Sequence, residues 1–106
     1  MPLRPWLALL RRRLDRAGIA HNDYVVGIAR SGQMDEAALL QALAQLPAGV
    51  GEIYLHPAVV SGEAITASMR GYRHADELAA LLSPRVRAAL ERAANRRGGF
   101  ADVLVP

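Results

Sequence analysis

The chain has 106 residues, enough for one small domain, and its 52% hydrophobic and 22% charged content excludes a disordered segment. It has no cysteine, which excludes disulfides and cysteine-ligated zinc and fits a reducing, cytoplasmic location. The net charge is +3 and all 13 basic residues are arginine, but no organised basic face is visible, so we expect no nucleic-acid partner. We also expect no membrane span, because no apolar run approaches about 18 residues.

An apolar stripe predicts a first helix from about residue 5 to residue 17, ended by Gly18. Trp6 is expected at the edge of this stripe. Apolar residues recur along it every three or four positions: Leu3, Leu7, Leu10, Leu14 and Ala17. Near the helix end, where the helix dipole favours positive charge, lie Arg11, Arg12, Arg13 and Arg16. We interpret them as a solvated face, in preference to a polyanion-binding surface, because no aromatic residues are interleaved.

A strand, a helix and a second strand follow in that order. Residues 24–29 are rich in strand formers, and residues 35–46 have the period of a helix with acids in its first turn. Residues 51–57 then alternate polar and apolar side chains and deliver His56 at the carboxyl end of the second strand. This order predicts a parallel βαβ unit with a right-handed crossover, which would place Arg30, Ser31 and His56 on one rim.

The rest of the chain predicts two helices and one strand. Residues 58–72 have no clear period and are expected to form a lid or binding loop. A helix over residues 75–82 would turn Leu78, Leu81 and Leu82 inward, and Ser83-Pro84 would start a further helix. Residues 100–105 are predicted to be a last short strand. The fold class expected for residues 1–106 is therefore a single α/β domain with about three short, mainly parallel strands and about four helices.

His56 is the first candidate for chemistry. Parallel α/β sheets bind ligands at the carboxyl ends of their strands, and imidazole titrates near neutral pH. His56 could therefore act as a general acid, a general base or a metal ligand, or could simply cap the strand through local hydrogen bonds. For His21 and His74 a solvated surface position is favoured. The three histidines match no metal-site spacing, and the chain has no phosphate-binding glycine loop and no nucleophile elbow.

Several segments together resemble a known family. They are LRPWL at residues 3–7, NDYVVG at 22–27, GEIYLHPA at 51–58, YRHADEL at 72–78 and LSP at 82–84. This combination is similar to the C-terminal part of the YdjC-like carbohydrate deacetylases, and most similar to their hopanoid-biosynthesis-associated branch. The resemblance runs over nearly all of the chain.

The resemblance implies a portion of an irregular TIM-like barrel that hydrolyses the acetamide of N-acetylated amino sugars or glycolipids. An N-acetylglucosaminyl hopanoid is one candidate substrate. In that family His56 would match the histidine that protonates the leaving amine, with Tyr24, Arg30 and Tyr72 as candidate substrate-binding residues. The alternatives are rim or core packing for the two tyrosines and a loop charge or salt bridge for Arg30.

The family pattern also contains features without a counterpart in this sequence. A divalent metal such as magnesium or zinc is implied, but its aspartate and histidine ligands would precede the matched region, so we expect no metal ligands here. Ala58 stands where the wider family usually has glycine after His-Pro, which suits the hopanoid branch.

We therefore expect a C-terminal fragment of a larger deacetylase, inactive alone. Its exposed strand edges and helix faces would be covered by the missing part or by a second copy, which predicts a homo-oligomer. The alternative function is a non-catalytic module that dimerises through its leucine-rich helices. A weaker alternative is polyanion binding through the arginine-rich helix.

Overall fold

The computed structural model describes residues 4–59, 64–94 and 96–104. Its elements in chain order are helix α1 (Arg4–Arg16), strand β1 (Tyr24–Val26), helix α2 (Glu36–Ala44), strand β2 (Gly51–Ile53), a 3-10 turn (Ala67–Met69) and helices α3 (His74–Leu82), α4 (Pro84–Ala93) and α5 (Phe100–Val103). Within the described residues no helix is both long enough and apolar enough to cross a bilayer.

The two strands form a parallel pair, which confirms the predicted βαβ unit. Tyr24 lies opposite Gly51 in the register, and helix α2 makes the connection. Strand β1 is shorter than predicted because Gly27 has φ +105° and turns the chain away. A Cβ at Gly27 would lie 2.5 Å from the carbonyl oxygen of Tyr54, so the close approach of the two segments requires glycine.

The predicted α/β class is confirmed, with a mixed architecture of two strands and five helices in the part of the chain that the structure describes. The third strand, predicted over residues 100–105, is wrong: residues 100–103 form helix α5, and residue 105 lies outside the described residues. A local hydrogen bond favours the helix, because the Asp102 carboxylate accepts the Gly99 N–H at 2.9 Å.

The core lies between α2, α3 and α4. Asp35 caps the N-terminus of helix α2, because its side chain accepts the Ala38 N–H at 3.0 Å. The helix buries Leu39 and Leu43, as its period predicts. The start of α4 is also as predicted, with Ser83 as the cap and Pro84 in the first turn. The core consists of buried apolar residues from these three helices and from the loop before α2: Met34, Ala38, Leu39, Leu43, Ala80 and Val86.

Helix α3 presents a different face to the core from the one predicted. His74, Glu77 and Ala80 are buried, whereas Leu82 is 73% exposed and Leu81 is exposed as well. The prediction that Leu81 and Leu82 face inward is therefore wrong. The polar residues take the inner face because each finds a backbone hydrogen-bond partner there, which offsets the cost of burying it.

Helix α1 forms as predicted and ends at Gly18, which has φ +69°. None of its described residues is buried, and Trp6, Leu7 and Leu10 are each at least about half exposed. Its apolar stripe thus lies on the surface of the described structure. Leu3, the first member of the predicted stripe, lies outside the described residues, as do residues 60–63 of the predicted lid loop.

Candidate functional site

His56 lies on the carboxyl side of β2, as predicted, but three residues beyond the strand, which ends at Ile53 and is shorter than the predicted 51–57. Its backbone N–H donates to Glu77 Oε1 at 2.6 Å, and its side chain is half-buried. The same carboxylate accepts the Met34 N–H through Oε2 at 3.1 Å. Glu77 is fully buried, and both of its oxygens have backbone partners. One carboxylate on α3 therefore holds together the loop after β1 and the segment after β2.

His74 supports His56 from the first turn of α3. It is only 2% exposed, and its Nδ1 donates to the His56 carbonyl oxygen at 2.5 Å. In the opposite direction, the His74 carbonyl accepts the Ala58 N–H at 3.2 Å. The prediction that His74 is a solvated surface residue is therefore wrong. Its partners come from a segment that precedes it by 16 to 18 residues, which local patterns do not reveal.

Four aromatic or imidazole rings stand side by side at this rim. The ring centroids of Tyr54 and His56 are 4.7 Å apart, those of His56 and Tyr72 are 5.0 Å apart, and those of Tyr72 and His74 are 5.8 Å apart. His56 Nε2 is 3.2 Å from the Tyr54 hydroxyl, whereas His56 Nδ1 is buried without a hydrogen-bond partner among the described residues. We call Tyr54, His56, Tyr72, His74 and Glu77 the His56 cluster.

Tyr72 is the predicted substrate-binding residue that the fold brings against His56. Its ring covers Gly32, where a Cβ would lie 2.4 Å from ring atoms, and Gly32 has φ +80°. The Gly32 carbonyl also accepts the Arg73 N–H at 2.8 Å. The ring contact and this hydrogen bond therefore join the loop after β1 to the segment before α3. The role of Tyr72 in binding substrate stays a prediction.

Tyr24 lies at the opposite end of the sheet from His56. It begins β1, its hydroxyl donates to the Pro47 carbonyl at 3.1 Å, and its ring packs on Gly51. His56 follows Gly51 by five positions, roughly 16 Å along an extended strand. The structure therefore does not bring Tyr24 to the His56 cluster, and its predicted substrate role stays a prediction.

Arg30 lies in the turn after β1, on the carboxyl side of the sheet. Its Nη1 donates to Gln41 Oε1 on α2 at 3.3 Å, and the Ser31 hydroxyl donates to the Ile28 carbonyl at 2.6 Å. Both residues therefore lie at the predicted rim. Ser31 is hydrogen-bonded within its own loop, and Arg30 is hydrogen-bonded to α2. The role of Arg30 in binding substrate also stays a prediction.

Charged groups beside the cluster are paired. Arg73 donates to Asp35 and to Asp76, each at 2.8 Å. The pKa of Asp35 is lowered, first by the Ala38 N–H at the helix cap and then by Arg73, against an opposing effect of burial. Asp76 raises the pKa of Arg73. The rim next to Tyr72 therefore carries one guanidinium paired with two carboxylates.

His21 lies away from the cluster, at the junction of α1 and β1. Its Nε2 is 2.8 Å from Asp15 Oδ1, and its Nδ1 is 2.8 Å from the Asn22 carbonyl. Both acceptors raise the pKa of His21, the Asn22 carbonyl more than Asp15. The prediction of a freely solvated histidine is wrong here too, because the ring is half-buried and both nitrogens have partners.

The residues present do not fit a catalytic metal. Among residues 4–59, 64–94 and 96–104, no group of three histidine, aspartate or glutamate side chains could hold an ion. In the His56 cluster both Glu77 oxygens accept backbone N–H groups, and His74 Nδ1 is bound to a carbonyl. We therefore derive no step through a metal from these residues.

Sequence reasoning did not identify Tyr54 and Glu77 as members of the site. Tyr54 carried a usable signal, since residues i and i+2 of a strand share a side and Tyr54 precedes His56 by two. Glu77 carried no such signal, because the leucine period of α3 predicted a different inner face.

A family model described as YdjC-like protein matches residues 2–92. The chain belongs to the YdjC-like family. That family is associated with carbohydrate deacetylase function. The match contains the whole His56 cluster, while α5 lies beyond it. Searches of curated proteins and of solved structures give no significant match.

Proposed function

We propose that this YdjC-like chain contributes the proton-donating part of a carbohydrate deacetylase site, with His56 as the acid. The observation that carries the proposal is the placement of the His56 ring at the carboxyl end of a parallel strand, with its backbone held by Glu77. Its Nδ1 is buried, so Nε2, beside the exposed Tyr54, is the nitrogen that a substrate could reach.

The reaction is hydrolysis of the acetamide of an N-acetylated amino sugar. Water adds to the carbonyl carbon, its protons pass to a carboxylate base outside the described residues and on to solvent, the C–N bond breaks, and the acetyl group leaves as acetate. The leaving nitrogen takes a proton from Nε2 of the His56 imidazolium and departs as the free amine. Tyr72, packed against His56, and Arg30, on the same side of the sheet, are proposed to contact the sugar.

The chain is proposed to act as part of a larger TIM-like barrel. The exposed apolar stripe of α1 supports this proposal, because such a stripe is normally covered by another element. The divalent metal that the resemblance implies would need ligands from outside the described residues, and no step of the reaction is assigned to it. An N-acetylglucosaminyl hopanoid is the proposed substrate, because Ala58 after His56-Pro57 resembles the hopanoid-associated branch of the family.

The test is an acetate-release assay on N-acetylglucosaminyl substrates with added magnesium or zinc. It is run on the 106-residue chain and on any longer in-frame polypeptide. In the active form, His56→Ala should lower the rate by about 100-fold or more, because the proton donor is lost. His21→Ala is the matched control and should retain the rate, since His21 lies at the α1–β1 junction. An active form whose rate is unaffected by His56→Ala would contradict the proposal.

A second candidate function is self-association through α1. Leu7 and Leu10 lie on one side of that helix and are about half exposed. Two copies packed antiparallel would meet through the same stripe and would keep their arginine-rich ends apart. Sedimentation should then show a dimer that Leu10→Glu dissociates. Arg12→Gln, on the opposite side of the helix, should leave it intact, and a monomeric wild-type chain would rule this candidate out.

A further inference from the structure

The Tyr54 hydroxyl and His56 Nε2 are 3.2 Å apart, within hydrogen-bonding distance. The two rings meet edge to face, with an interplanar angle of 77°. This contact follows from the backbone, because the Tyr54 N–H donates to the Val26 carbonyl at 2.8 Å and so continues the pairing of β2 with β1. Residues 54 and 56 of an extended segment then point to the same side.

A second tyrosine contacts the His56 ring without a hydrogen bond. The Tyr72 ring packs against it with a centroid distance of 5.0 Å, and among the described residues the only side-chain hydrogen bond to the His56 ring comes from Tyr54. Tyr72 therefore confines the ring by packing, whereas Tyr54 holds one ring nitrogen. A phenol can donate to an imidazole nitrogen or accept from it, so the bond can persist in either neutral tautomer of His56.

Exposure places Tyr54 on the side from which a ligand would approach. Tyr54 is 42% exposed, His56 is half-buried, and His56 Nδ1 has no accessible surface. A molecule that exchanges a proton with His56 must therefore reach Nε2, where the Tyr54 hydroxyl already lies. Because Tyr54 is partly exposed, its hydroxyl can bond to water when a ligand takes its place at Nε2.

We infer that Tyr54 is a positioning residue for His56. The Tyr54 hydroxyl orients the imidazole and is then displaced from Nε2 by the leaving amine of the amino sugar. This inference rests on the proposed function for the identity of the ligand. The Tyr54–His56 bond itself does not depend on that function, so the two can fail separately.

The direct test is Tyr54→Phe, which removes one oxygen and retains the ring. Tyr24→Phe removes the same atom from a tyrosine at the other end of the sheet, where the hydroxyl is bound to Pro47. Long-range 1H–15N spectra of the imidazoles in the 106-residue chain should show the His56 Nε2 resonance displaced in Tyr54→Phe and unchanged in Tyr24→Phe. The His74 signals should stay in place in both variants, which shows that the fold is retained.

The kinetic test uses whichever form hydrolyses the substrate. Tyr54→Phe should lower kcat by about tenfold or more with little change in KM, because a misoriented acid slows proton transfer without weakening sugar binding. An unchanged Nε2 resonance, or an altered resonance with an unchanged kcat, would overturn the inference. If Tyr54→Phe lowers kcat but His56→Ala does not, the assignment of His56 as the acid fails and Tyr54 cannot act through it.

Discussion

Glu77 Oε1 accepts the backbone N–H of His56 at 2.6 Å from a carboxylate that has no exposed surface. Its other oxygen accepts the Met34 N–H at 3.1 Å. Hydrogen bonds to an ionised acceptor are stronger than neutral ones, and a buried carboxylate without them would be costly. The position of His56 therefore depends on a residue that follows it by 21 positions.

Replacing Glu77 with Gln should destabilise the fold by about 1–3 kcal/mol, because the amide offers one acceptor and turns an N–H donor toward a backbone N–H. Urea denaturation measures the loss. Asp76→Asn is the matched control: it removes the same charge one position earlier, where Asp76 is exposed and paired with Arg73. That control should cost less than about 1 kcal/mol. Equal losses in both variants would mean that charge, not the backbone contacts, explains the effect.

Gly32→Ala should be more destabilising than Gly71→Ala. Both glycines have positive φ, +80° and +78°, so each substitution carries a backbone cost of about 1–2 kcal/mol. Only Gly32 also faces the Tyr72 ring, where the added Cβ would lie 2.4 Å from ring atoms, whereas nothing lies within 4 Å of a Cβ at Gly71. The difference in unfolding free energy between the variants measures this collision. If Tyr72 packs as described, the His56 ring signals shift in Gly32→Ala alone.

Asp35→Ala should destabilise the chain by about 1 kcal/mol, because the N-cap of α2 is lost. Asp35→Asn should lose less, since its oxygen can still accept the Ala38 N–H, although the contact with Arg73 is weakened. Thermal melts of the two variants test the order. The lowered pKa of Asp35 implies that its contribution is complete above the ordinary value of 3.8 and is lost as the pH falls through the lower folded value. An equal loss in both variants would contradict a capping role.

The His21 contact predicts a pH-dependent stability of the junction between α1 and β1. Because the folded pKa of His21 is raised above 6.5, by the Asn22 carbonyl and then by Asp15, its stabilisation is fully present below that pH. It is lost as the pH rises through the folded value. The difference in Tm between wild type and His21→Gln should therefore be largest below pH 6.5 and should shrink as the pH rises above it. Asp15→Asn should weaken this dependence without abolishing it, because the Asn22 carbonyl is retained, and a difference that stays constant with pH in the wild type would show that the contacts are not formed in solution.

The amino-acid sequence by itself determined the elements whose causes are local. The acidic start and the leucine period of α2 lie within one stretch, as do Ser83 and Pro84 at the start of α4 and the alternation that ends at His56. These features were predicted because caps and periodicity act over a few residues. The parallel pairing followed from the order of the elements, since a helix between two strands connects them in parallel.

Only the tertiary structure decided which side chains meet. Glu77 contacts Met34 across 43 positions and His74 contacts His56 across 18, and these partners turned polar residues of α3 inward in place of its leucines. The same packing placed Tyr54 and Tyr72 against His56 and left Tyr24 at the far end of the sheet. The physical reason is that a buried polar group is stable only where a partner satisfies it, and such partners are brought together by the fold, not by their spacing along the chain.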